Sequence, residues 1–285
     1  MSAATTLLSL VLTLRPLDFR RPAETLPHWW GRAAHALLLD TVRRADAALA
    51  KSLHDDNALK PFTASNLMGR FSEGKLDPQQ TYTLRFTSLI PELSRILLES
   101  FLPNIEVQLD YQMFRIEQVA CTPEEHPWAG STAWEELAGK SLLGGSAPPR
   151  RISLLFASPT TFRVDGRLIP LPLPDLVFNS LLQRWNSYAP LAFPDEVRRY
   201  AAECLQISSY RLNSAAVRTQ EEALRIGAVG QVTYTSAPYD RYWMSLIRTL
   251  AGFALYAGVG ASTPMGLGQV RLIEPDRPPE ENTEP

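Results

Sequence analysis

Gly258-Val259-Gly260-Ala261-Ser262-Thr263-Pro264-Met265-Gly266-Leu267-Gly268 is the stretch around which the rest of the chain can be read. Two Gly-x-Gly pairs flank a short polar bridge. A helical pattern from Tyr242 to Ala257 leads in, and the alternation Gln269-Val270-Arg271-Leu272-Ile273 leads out, so the loop joins a helix to a final strand. Glycine at these positions admits positive φ and close approach by another molecule. Successive free N–H groups in such a turn make a concavity suited to phosphate. The order is wrong for a dinucleotide fold, where Gly-x-Gly-x-x-Gly follows a strand and opens a helix, and the Gly-Lys-Ser/Thr of a P-loop is missing. Taken alone, the loop reads slightly better as a helix C-cap followed by a soft turn.

Upstream of the loop, two halves with a common theme can be followed. Thr6 to Arg15 reads as a strand, and a helix follows from about His28 to Leu53, with Trp30, Ala34, Leu37, Leu38, Val42, Ala45, Leu49 and Leu53 at helical spacing. Lys60 to Met68 is irregular and Gly69 to Pro78 is turn-rich. Thr81 to Leu89 alternates as a strand, Pro91 opens a helix to Phe101, and Ile105–Leu109 and Tyr111–Val119 read as strands. Provided the long loop after the first helix hides no strand, these elements read as a split βαβ sheet of ferredoxin-like type. Cys121 to Pro149 is rich in Pro, Gly, Ser and acidic residues and reads as a linker or excursion that Trp128 and Trp134 can pin. In the second half, Arg151–Phe156 is a strand, Thr161–Val164 stays extended, Asp175–Tyr188 and Glu196–Cys204 are helical, and Ile207–Thr219 with Ala223–Thr235 form a long hairpin. Gly227 and Gly230 inside its second arm signal a bulge or a close backbone approach.

The predicted fold class is α+β, with tandem ferredoxin-like (RRM-like) domains. The expected boundaries are 1–125 for the first domain, 126–149 for the linker, 150–274 for the second domain and 275–285 for an acidic, proline-rich disordered tail.

Composition narrows the function. The chain has 285 residues, enough for two domains. No long apolar run free of charge is present, so no membrane partner is expected. Cys121 and Cys204 lie far apart, which fits neither a disulfide framework nor metal-ligand spacing, and the natural compartment is a reduced cytoplasm. Net charge is −2, so bulk charge does not announce nucleic acid. Of 28 basic residues only Lys51, Lys60, Lys75 and Lys140 are lysines. Arginine suits bidentate phosphate contacts and stacking on bases, although a GC-rich genome gives the same bias.

No Cys/His cluster or paired-carboxylate signature supplies a metal site, no cofactor is implied, and no nucleophile elbow appears. The remaining chemistry is that of histidine: His28, His35, His54 and His126. Imidazole can serve as acid or base near neutral pH. His54 follows a helix, with Lys60 in the next loop, and His35 lies inside the helix. Each also has a plainer reading, His54 as a C-terminal residue favoured by the helix dipole and His35 as a packed interface histidine. His28 and His126 read as structural or exposed.

The glycine loop, together with Leu53-His54 and Lys60-Pro61-Phe62-Thr63-Ala64-Ser65, then Phe156-Ala157-Ser158-Pro159-Thr160-Thr161-Phe162, then Gly227-Ala228-Val229-Gly230, resembles the CRISPR repeat-processing endoribonucleases. The resemblance spans the chain and implies two ferredoxin-like domains. It also implies metal-independent cleavage of repeat RNA into guide RNAs, by 2′-hydroxyl attack that leaves a 2′,3′-cyclic phosphate. His54 matches the family's acid or base and Lys60 the lysine near the scissile phosphate. The tyrosine that some members place on the first helix is missing, which leaves His35 as a second candidate. Expected RNA contacts are Gly258, Gly260, Gly266, Gly268, Arg150, Arg151, Arg163, Arg167 and Arg184. Expected partners are CRISPR repeat RNA, other effector-complex subunits and a second copy in a homodimer. The alternative is a non-catalytic RNA-binding subunit of a CRISPR effector complex.

Overall fold

The computed structural model describes residues 7–18, 29–55, 59–71, 75–218 and 224–274. His28 and the 275–285 tail lie outside these residues.

β1 (Leu7–Asp18) is the central strand of the first sheet, with Leu8, Leu10, Leu12 and Leu14 buried. The helix expected from His28 to Leu53 is two helices, α1 (Gly31–Ala45) and α2 (Ala47–Asp55). The break is at Asp46, whose extended backbone ends α1 and whose carboxylate accepts the N–H groups of Ala48 and Leu49 at 3.0 and 2.9 Å. Aspartate is a favoured N-cap because it satisfies donors that a new helix leaves open. Ala34, Leu38 and Val42 form the buried stripe of α1.

The long loop does hide a strand. β2 (Phe62–Ala64) pairs antiparallel with β3 (Tyr82–Ser88). α3 (Pro91–Ser100) follows, then the hairpin of β4 (Glu106–Leu109) and β5 (Gln112–Ala120). The sheet order β2-β3-β1-β5-β4 makes β2, β3, β1 and β5 the ferredoxin-like core. β4, expected within that core, is an added edge strand.

The stretch expected to be a linker holds β6 (Gly130–Thr132), which pairs with the start of β1, and α4 (Trp134–Leu142). Trp134 sits in the second core, its ring 5.1 Å from that of Trp185 and 5.3 Å from that of Phe253. It is therefore a folded strap between the halves.

The second half comprises β7 (Arg151–Thr160), the small hairpin of β8 (Phe162–Val164) and β9 (Arg167–Ile169), α5 (Pro174–Tyr188), α6 (Glu196–Cys204), β10 (Leu205–Arg218), β11 (Leu224–Ser236), α7 (Arg241–Ala257) and β12 (Val270–Ile273). The sheet order is β10-β11-β7-β12, the same pattern as the first core. The β11–β7 register shifts between Ala228 and Gly230, and a Cβ on Gly227 would overlap the backbone of Pro159 and Thr160. The expected bulge and the expected close approach are both present. The tandem ferredoxin-like α+β fold is as the sequence predicts.

Candidate active site at the domain seam

The glycine loop closes onto the first half. Within it, Thr263–Met265 forms one 3-10 turn. Trp29 Nε1 donates to the Met265 carbonyl at 2.8 Å, and Gly266 forms a parallel bridge with Ser65 just after β2. Asn66 Oδ1 in turn accepts the Trp30 N–H at 2.7 Å, which ties this segment to the start of α1.

His35 stands one turn into α1, half-buried, with its ring centroid 5.5 Å from that of Phe62 on β2. It faces the Pro264 carbonyl, and its Nδ1 is buried without a hydrogen-bond partner. Burial lowers its pKa below the ordinary histidine value. The Pro264 carbonyl partly offsets this, and the charges of Lys60 and His54 push it further down. The ring is therefore neutral at pH 7. His54 is exposed in the last turn of α2, and Lys60 Nζ donates to the His54 carbonyl at 3.5 Å. The fold thus brings His35, His54 and Lys60, taken from two helices and a loop, beside a turn from the far end of the chain.

The glycines serve this closure differently from the expected phosphate cradle. The N–H groups of Gly258, Gly260 and Gly268 donate to the Ala254 carbonyl, Ser180 Oγ and the Pro159 carbonyl at 3.0, 2.9 and 3.1 Å. Those of Val259 and Ala261 go to the Gly268 and Thr161 carbonyls. Helix capping and strand-like pairing have consumed these donors, so they do not face phosphate. Gly260 has φ +80° and a Cβ there would overlap the Thr161 carbonyl oxygen. Gly266 has φ +93°, and its Cβ would come within 3.0 Å of the Trp29 ring.

The arginines separate in the same way. Arg184 is 4% exposed and donates to the Gly260 carbonyl at 3.2 Å, with burial pulling its pKa down to about 10. It supports the loop from beneath, contrary to the expectation of an RNA contact, because it shares the buried face of α5 with Leu181 and Trp185. Arg163 and Arg167 are exposed on the β8–β9 hairpin, which follows Thr161, the residue whose carbonyl accepts the Ala261 N–H of the loop. Arg150 and Arg151 are exposed at the far end of β7, about 30 Å along the strand. Arg150 lies over the Tyr239 ring.

Two seam residues escaped sequence reasoning. Tyr188, at the end of α5, donates its hydroxyl to the Leu59 carbonyl, next to Lys60. Arg85 on β3 is 1% exposed and bonds to Gln269 Oε1, Ser9 Oγ and the Leu255 carbonyl, with its guanidinium 5.1 Å from the Trp128 ring centroid. Burial pulls its pKa down to about 9. Because Gln269 directly follows Gly268, Arg85 locks the loop exit against the first sheet. No local pattern signals either contact, since each partner comes from the other half. His126 packs near Arg85 and Arg271, and its Nδ1 accepts the Trp128 N–H, a structural role. Among the described residues no group of three or more His, Cys, Asp and Glu is placed to hold a metal ion, and no helix is long and apolar enough to cross a membrane.

Comparison with known families accords with this architecture half by half. The model of the CRISPR Cas6 N-terminal domain matches residues 7–138, and that of the CRISPR-associated endoribonuclease Cas6 matches residues 154–270. The chain belongs to the Cas6 family. The CRISPR-associated endoribonuclease Cas6 of Mycobacterium tuberculosis is 30% identical over 125 residues, 43% of this chain and 39% of that protein. That of Streptococcus thermophilus is 27% identical over 125 residues, 43% of this chain and 50% of that protein. The chain therefore spans about two fifths to half the length of these curated relatives. Solved Cas6 structures align over nearly the whole fold. A Cas6 product complex is 29% identical over 94% of this chain and 99% of its own, with a TM-score of 0.76. Thermus thermophilus Cas6 is 26% identical over 95% and 100%, with a TM-score of 0.72.

Proposed function

We propose that this protein is an endoribonuclease that cuts CRISPR repeat transcripts into guide RNAs without a metal ion. The 2′-hydroxyl attacks the adjacent phosphorus, the bond to the 5′ oxygen breaks, and the products carry a 2′,3′-cyclic phosphate and a 5′-hydroxyl. His35, neutral at pH 7, takes the 2′ proton, and His54 gives a proton to the departing 5′ oxygen. Lys60 offsets charge on the phosphorane. The observation that carries this reading is the convergence of His35, His54 and Lys60 beside the Thr263–Met265 turn in a Cas6-family chain. Two solved relatives are a product complex and a substrate-mimic complex, which supports a site built to hold substrate and product. The exposed Arg163 and Arg167 are the positions proposed to follow the RNA backbone.

The test is to incubate the protein with repeat RNA from its own genome in excess EDTA and to map the ends. Cleavage that persists and leaves a 2′,3′-cyclic phosphate is expected. Activity that vanishes in chelator and returns with Mg²⁺ overturns the mechanism.

A further inference from the structure

We propose that the cleft between α5 and α6, beside the loop that carries Lys60, is a reading pocket for one unpaired guanine of the RNA. The inference rests on the endoribonuclease reading above and adds to it a determinant of sequence specificity. The cleft holds about 560 Å³, within the range of small-ligand sites. Its wall nearest the candidate active site is Leu59, the residue before Lys60, which Tyr188 holds through its carbonyl. A base lodged here therefore belongs to a nucleotide close to the cut.

The lining is chemically specific. Leu182 borders the cleft from the core side and is only 3% exposed, so a base here is held by its polar edges. Asn179 and Gln183 stand one helical turn apart on α5 and share a face. Asp195 and Arg198 stand at the start of α6. Among the described residues, none of these four polar side chains has a hydrogen-bond or ionic partner. Asp195 occupies the N-cap position of α6, yet makes no side-chain cap bond. Its backbone is already helical, a geometry that does not suit capping, so its exposed carboxylate is left available to a ligand in the cleft. A guanidinium suits the O6 and N7 acceptors of guanine, and a carboxylate accepts from its N1–H and N2–H donors. Adenine offers no donor at N1 or N2, and cytosine and uracil lack the O6/N7 pair. The walls are also preformed. Asn186 brackets Phe193 with two bonds, its Oδ1 accepting at 2.8 Å and its Nδ2 donating at 2.9 Å, and Trp185 Nε1 donates to the Leu191 carbonyl at 2.8 Å. These bonds fix the α5–α6 connection. Single-stranded RNA bases are read in this way, on edges exposed by unstacking.

The experiment measures kcat/KM on repeat RNAs in which each unpaired position near the cut carries guanine, inosine or adenine in turn. It compares the native protein with Asp195→Asn and Arg198→Ala. At one position the native protein should prefer guanine over adenine by about tenfold or more. Inosine, which lacks the N2 amino group, should fall between them. Asp195→Asn should erase the guanine–inosine difference there, and Arg198→Ala the remaining preference, while the cut stays at the same phosphate. A protein that cleaves the repeat but shows no position at which these variants change base preference overturns the pocket alone. A protein that does not cleave the repeat at all overturns both the pocket and the activity on which it rests.

Discussion

The two halves of the molecule share one strand order but spend their sequence differently. In the first half the outer strand β2 is three residues long and wholly buried, and the segments around it carry His35, His54 and Lys60. In the second half the equivalent strand β10 runs 14 residues, largely exposed, and no histidine occurs. The second half contributes instead a shaped loop between its last helix and strand. At that place the first half has the β4 edge strand and no glycine turn. A duplicated topology thus supplies the residues proposed for proton transfer from one copy and a backbone turn from the other, and the candidate site exists only where they meet.

The sharpest test of this division is at the histidines. His35→Ala and His54→Ala should each reduce the cleavage rate about 10²–10⁴-fold, with repeat binding little changed. An RNA with sulfur in place of the departing 5′ oxygen needs no acid, and should rescue His54→Ala but not His35→Ala. Rescue of the opposite variant reverses the roles, and a full rate in both variants removes histidine catalysis. The native rate should rise with pH through the lowered pKa of His35, so its acidic limb should lie below the ordinary histidine value of about 6.5. Stability has the same sign. The folded state binds this proton less readily than the unfolded chain, so stability falls as pH drops below about 6.5 and the loss levels off beneath the folded value. His35→Gln should flatten that fall in thermal melts.

Next in size is the support beneath the loop. Arg184→Ala removes the guanidinium under Gly260 and leaves a cavity and a half-buried carbonyl without that donor, at a cost of about 3 kcal/mol. A matching fall in the melting midpoint, with nuclease-dead RNA binding restored at low temperature, marks it as a support. A normal midpoint with weakened binding returns it to the RNA surface.

The glycines should then divide. Gly260→Ala combines positive φ with a backbone overlap and should destabilise the fold by about 2 kcal/mol or more. Gly266→Ala also meets positive φ, but its closest approaches, to the Trp29 ring and the Asn66 N–H, are looser than the Thr161 overlap at Gly260, so it should lower the melting midpoint less than Gly260→Ala while still lowering the cleavage rate. Equal effects of the two substitutions in both assays would erase this distinction within the loop.

The smallest effect is expected at the surface. Arg163→Ala and Arg167→Ala should weaken repeat binding a few-fold and reduce the salt slope of log K by about 0.7 per lost phosphate contact. Arg151→Ala, at the far end of β7, should leave that slope unchanged. A slope altered only by Arg151→Ala would move the RNA path to the opposite end of the sheet.

Much of the fold was legible because its elements repeat locally. β1, α3, the β10–β11 pair and α7 announce themselves by period and by flanking turn residues. Three features did not. β2 has only three residues, all buried, and no alternation to detect. Asp46 breaks a continuous apolar period because its side chain caps the next helix, which a pattern of hydrophobic positions does not register. Arg184 looked like a surface arginine because composition carries no record of which face of α5 packs inward. At the site, the residue types were readable but their relation was not.

By itself, then, the sequence determined the tandem α+β class and the glycine loop between a helix and the last strand, and it supplied the histidine and lysine candidates, because those depend on residue identity and on periods set by backbone geometry. Only the tertiary structure decided that the N–H groups of Gly258, Gly260 and Gly268 are spent on the protein's own oxygens, that Arg184 lies beneath the loop, and that Pro264 reaches His35 from the other end of the chain. These are contacts between segments far apart in sequence. They are set by which apolar faces bury against each other and which polar groups must then find partners inside, a balance taken over the whole molecule.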